Sequence, residues 1–97
     1  MLRERRKHHR LPIEATQVQG AMIHGRVLDL SMTGIAIETT HGLSIGASYR
    51  LRVTSMDRAF VLFASVRWCR LRRVCPKEDG DALPIFRTGL SIDPGDR

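Results

Sequence analysis

Between Ile13 and Ile92, apolar residues return at every second position in six short runs, with Gly, Pro, Asp and Ser punctuating the gaps. A period of two belongs to a half-buried strand, whereas an amphipathic helix repeats every 3.6 residues. The runs are Ile13–Val18, Met22–Leu30, Ile35–Thr39, Ala47–Thr54, Ala59–Leu71 and Phe86–Ile92. Turn chemistry falls at Gly34, between Gly42 and Gly46, at Ser55–Arg58 and at Pro76–Asp81, and Arg72–Leu83 reads as a long charged loop. Strict alternation in the second run puts Ile23, Gly25, Val27 and Asp29 on one face, against Met22, His24, Arg26, Leu28 and Leu30 on the other. No segment carries a convincing helical spacing. Six mostly sequential strands around one small core predict an all-β fold, a six-stranded antiparallel barrel, because closure removes exposed sheet edges.

The 97 residues suffice for one domain with a modest core. The longest apolar stretch, Ala59–Val66, falls far short of the ~20 residues of a membrane helix. The N-terminus is charged from residue 3 and lacks the apolar region of a secretory signal, so a cytoplasmic location without membrane insertion is expected. Cys69 and Cys75 fit free thiols there, and with His8, His9, His24 and His41 they match no zinc spacing. No metal, cofactor or catalytic set is expected, since no nucleophile–base pair or carboxylate dyad stands at a motif-like spacing.

The net charge of +6 is concentrated. Residues 1–10 carry Arg3, Arg5, Arg6, Lys7 and Arg10 against Glu4, and a second cluster holds Arg67, Arg70, Arg72 and Arg73. Such clusters favour an anionic partner. The division expected is a basic arm over 1–10 and a barrel domain over 11–97, with Pro12 ending any helical tendency of the arm.

Two patterns carry specific chemistry. Arg6 and Arg10 are spaced R-x-x-x-R, and Asp29-Leu30-Ser31-Met32-Thr33-Gly34 is spaced D-x-S-x-x-G at the end of a predicted strand. Guanidinium forks pair with phosphate oxygens or the guanine O6/N7 edge, and their flat faces stack on bases. A carboxylate such as Asp29 accepts from guanine N1–H and N2–H₂. Ser31 offers a hydroxyl to the backbone or to a ligand, and Gly34 permits positive φ or a close main-chain approach. Taken singly, the first pattern is more often a solvated tail and the second only a turn. Their order, joined by strand-like sequence, points to a nucleotide.

On these residues the chain resembles a PilZ domain, a bacterial receptor module for cyclic di-GMP. The resemblance runs through E-R-R-K-H-H-R-L-P at 4–12 and V-L-D-L-S-M-T-G-I-A-I at 27–37, and more weakly through A-S-V-R-W at 64–68 and R-T-G-L-S-I at 87–92. It implies a PilZ-like split barrel in which Arg6 and Arg10 bind phosphate and guanine. Asp29, Ser31 and Gly34 would cradle one guanine with its neighbouring phosphate or ribose. Arg5, directly before the first motif, implies an intercalated dimer of the dinucleotide as ligand. Trp68 has two placements open, as a cover over a base or as a core residue. Arg70 is either a phosphate contact or, more simply, a solvated edge charge. PilZ domains commonly end in a C-terminal helix, expected here to be short or absent. A downstream effector protein is the implied partner, and homodimerisation stays open. The alternative is a PilZ-like interaction adaptor that binds no nucleotide, with a nucleic-acid-binding barrel ranked third.

Overall fold

The computed structural model describes residues 11–17 and 22–94. The basic segment 1–10, with Arg5, Arg6 and Arg10, lies outside the described residues, as does Val18. The strands are β1 (Pro12–Thr16), β2 (Met22–Leu30), β3 (Gly34–Thr39), β4 (Ser48–Ser55), β5 (Arg58–Pro76) and β6 (Ala82–Ile92). They close into an antiparallel barrel in the order β1-β2-β3-β6-β5-β4, with β1 pairing back onto β4. Among the described residues there is no helix, and so none long and apolar enough to cross a membrane.

The period-two pattern explains the ring. In β4, Tyr49, Leu51 and Val53 are buried while Ser48, Arg50 and Arg52 point outward. Ile13 and Ala15 of β1, Val27 of β2, Ile35 and Ile37 of β3, Ala64 and Val66 of β5 and Leu90 of β6 complete the interior. β4 and β5 are joined by a two-residue turn at Met56 and Asp57, and Met56 takes φ 57°. The crossing from β3 to β4 is sealed by Leu43, and the Ser44 N–H donates to the Tyr49 hydroxyl at 3.3 Å.

Two expectations are corrected. Arg72–Leu83 is not a long loop: β5 and β6 run on past their last partners in the ring and pair from Arg73↔Ile85 to Pro76↔Ala82 as a two-stranded ribbon. A tight turn closes it, with the Lys77 N–H donating to the Asp81 carbonyl at 2.8 Å and Gly80 at φ +93°. A register shift between Leu71 and Arg73 leaves Arg72 without a partner on β6, which broke the alternation and hid the strand. In β2, a shift between Val27 and Asp29 leaves Leu28 unpaired, so Asp29 does not share the inward face of Val27.

One buried charge ties these parts together. Glu38 of β3 is 8% exposed. Its Oε1 accepts from Arg26 Nε and Nη2 at 2.9 and 2.7 Å, and Arg73 Nη1 of the ribbon lies 3.7 Å from Oε2. Hydrogen bonds to charged groups contribute ~1.5–3 kcal/mol, and a guanidinium left without its acid adds to the loss. Glu38→Ala is therefore expected to lower the urea unfolding free energy by about 2 kcal/mol. Glu14→Ala, which removes only exposed pairings such as the 3.6 Å contact to Arg52, is expected to change it by less than about 1 kcal/mol.

Candidate functional site

Residues facing each other across neighbouring strands share one face of the sheet, so the register defines the outer surface row by row. Asp29 of β2 stands opposite Ala36 of β3, Ala36 opposite Gly89 of β6, and Gly89 opposite Trp68 of β5. Ile35, Ile37 and Leu90, which flank this row, are core residues, so the row faces outward. A carboxylate and an indole thus bound a floor built of the two smallest side chains.

Both end residues owe their direction to a bulge. Strict alternation from Val27 would turn Asp29 inward, and from Val66 would turn Trp68 inward. The unpaired Leu28 and Arg67 each advance the strand by one residue, and the face reverses. Asp29 is exposed and Trp68 half-buried outside the core cluster. Of the two placements open for Trp68, the structure rejects the core. The indole lies against Gly89: a Cβ there would sit 2.7 Å from Cζ2 and nearer still to Cε2 and Nε1. Arg70, two residues along the same face, holds its guanidinium carbon 5.1 Å from the ring centroid, a cation–π contact.

Two further outward rows border this floor. Gly34, Ser91, Ser65 and Ser48 form one, with the Ser48 and Ser65 hydroxyls 3.2 Å apart. Arg26, Glu38, Arg87 and Arg70 form the other. With Arg73 added, four arginines share this part of the surface with one carboxylate, that of Glu38, which pairs with Arg26 and Arg73, and the buried Nε of Arg87 has no hydrogen-bond partner among the described residues. The local charge is strongly positive.

The Asp29–Gly34 turn is fixed by its own side chains. The Ser31 hydroxyl accepts from Gly34 N–H at 3.2 Å and Thr33 N–H at 3.4 Å, and donates to the Gly34 carbonyl at 3.3 Å. Asp29 Oδ1 accepts from the Leu30 N–H at 3.0 Å. The Ile92 N–H donates to the Thr33 carbonyl at 2.9 Å, anchoring the turn to β6. Of the two expectations for Gly34, the positive φ is not met. A Cβ there would come 3.2 Å from the Leu90 carbonyl oxygen, so close packing between β3 and β6 is the constraint. Asp29, Gly34 and Trp68 therefore share one outer face, with Ser31 bonded to Gly34 in the turn at its end, while Arg5, Arg6 and Arg10 lie outside the described residues. Sequence reasoning passed over Ala36, Gly89 and Arg87. The signal for Gly89 was a glycine inside a strand pattern, which marks a close approach by another group.

The family model for the PilZ domain matches residues 4–83. No curated protein matches the chain. Among solved structures, the PilZ domain of YcgR from Escherichia coli with c-di-GMP aligns at a TM-score of 0.66 and 13% identity. The alignment covers 86% of this chain and 67% of that one. At that identity the likeness to YcgR is one of fold. With most of its length matched by the family model, the chain belongs to the PilZ domain family.

Gly89→Ala must displace the indole or the β5–β6 pairing. It is expected to cost about 1–3 kcal/mol in urea unfolding, as overpacking does, whereas Ala36→Gly on the same floor should cost about 1 kcal/mol or less. Ser31→Ala removes three exposed bonds and is expected to lower stability by about 1 kcal/mol.

Proposed function

We propose that this chain is a cyclic di-GMP receptor, binding the nucleotide on the outer face that carries Asp29, Ser31, Gly34 and Trp68. The observation that carries the reading is the reversal of both Asp29 and Trp68 to the outside, on either side of the Ala36–Gly89 floor. Burial would serve either residue poorly as a contact. Facing out, Asp29 is a carboxylate for the N1–H and N2–H₂ donors of guanine, and Trp68 is a stacking surface for a base. The bordering arginine row supplies the charge that phosphates require.

In this reading Arg6 and Arg10 clamp phosphate and guanine, and residues 1–10 close over the bound nucleotide. Ordering of that segment alters the surface that an effector meets, so the chain signals by differential binding without catalysis. Arg5 supports a stacked pair of dinucleotides per domain. The coexistence of both motifs favours this over a nucleotide-free adaptor, and the same titration separates them.

Isothermal titration in moderate salt is expected to give saturable binding of cyclic di-GMP with a plateau at two ligands per chain. A silent titration at micromolar protein overturns the reading, and a plateau at one overturns the role given to Arg5. Arg10→Ala and Asp29→Ala are expected to abolish binding while the circular dichroism spectrum stays β-rich. Trp68→Ala is expected to weaken binding by ~1–3 kcal/mol, the range for loss of one base–aromatic stack. Normal binding by any of these variants removes that residue from the site.

A further inference from the structure

Arg87 of β6 stands in the middle of a charged row. Its cross-strand partners are Glu38 of β3 on one side and Arg70 of β5 on the other. Glu38 is already engaged, by Arg26 through two hydrogen bonds and by Arg73 at 3.7 Å. Neither Arg87 nor Arg70 has a carboxylate within ion-pair distance among the described residues. Directly opposed side chains have Cβ atoms only ~4.5–5.5 Å apart, and like charges so placed repel. A solvated edge charge would keep its donors in water. Arg87 is instead half-buried, and its buried Nε–H has no acceptor among the described residues.

We infer that Arg87 and Arg70 form a phosphate-binding pair on the barrel wall. A phosphate oxygen is the acceptor that the Arg87 guanidinium lacks, and an anion shared by both forks offsets their mutual repulsion. Arg26 and Arg73 are not members, because drawing either onto the anion would take a partner from the buried Glu38 carboxylate. Position selects phosphate over other anions. Two residues along the same strands, roughly 7 Å away, lie Gly89 and Trp68. Arg70 joins the two places, its guanidinium carbon 5.1 Å from the indole centroid. A ring beside paired guanidinium groups fits a nucleotide, which carries a flat base and a phosphate on one short frame. A simple carboxylate would meet the charge and leave the ring unused. The pair stands on the described residues alone, whereas its share in cyclic di-GMP binding rests on the receptor function proposed for the chain.

The test follows the arginine side-chain Nε–Hε resonances of the isotope-labelled full chain during addition of inorganic pyrophosphate. Those of Arg87 and Arg70 are expected to shift in a saturable way below about 10 mM, while glutamate at matched ionic strength leaves them in place. Arg87→Gln is expected to abolish the Arg70 shift and to lower cyclic di-GMP affinity at least about tenfold in titration calorimetry. Its urea midpoint is expected not to fall, because the charge removed has no acid to lose. Arg70→Gln is expected to weaken cyclic di-GMP binding in the same direction. Saturable pyrophosphate shifts in a chain that ignores cyclic di-GMP keep the phosphate pair and overturn the receptor function. Shifts confined to residues 1–10, an equal response to glutamate, or full cyclic di-GMP affinity in Arg87→Gln overturn the pair. So does a lowered urea midpoint in Arg87→Gln, the mark of a structural partner.

Discussion

Two unpaired residues, Leu28 and Arg67, decide what the outside of this barrel presents. Closure holds every strand to one inward face, and a shift of one residue exchanges the faces completely. On β2, absorbing Leu28 lets Val27 and Leu30 both pack on the core while Asp29 between them reaches solvent. On β5, absorbing Arg67 leaves Val66 inside and Trp68 outside, and the Cys69 sulfur then accepts from the buried Thr88 hydroxyl at 3.2 Å. The two bulges flank β3 and β6, whose unbroken register carries Ala36 and Gly89 between the redirected side chains. Geometry is thus gained at the rim of the core without disturbing the core itself.

Much of the fold was legible because burial imposes a period of two. β4 is the clearest case, since every second residue from Tyr49 to Val53 is apolar and every intervening one polar. Legibility failed where the period breaks. Arg72 and Arg73 side by side read as loop, although the first is a bulge and the second a paired strand residue held toward Glu38. The same blindness assigned Asp29 to the wrong face. Chemistry was more transparent than placement: a D-x-S-x-x-G turn and a lone tryptophan could be named from sequence, but their common face follows only from interstrand register. Arg5, Arg6 and Arg10 stay known by their spacing alone.

The charge distribution follows a division of labour. Arg26 and Arg73 are held by Glu38, which joins β2, β3 and the β5–β6 ribbon at a single carboxylate. Such a hub restricts the rotamers open to both arginines. Arg70 is held by the indole instead, a weaker restraint than an ion pair at a buried acid. The arginines grouped around Glu38 and Trp68 are therefore held with different strengths beside the small-residue floor.

The position of Trp68 has a practical consequence. It is the chain's one tryptophan, and it sits outside the core against a glycine with a guanidinium over its ring. Its emission is therefore governed by events on this face and not by the packing of the interior. The protein carries a built-in optical reporter at the edge of the candidate site, with no second indole to dilute the signal.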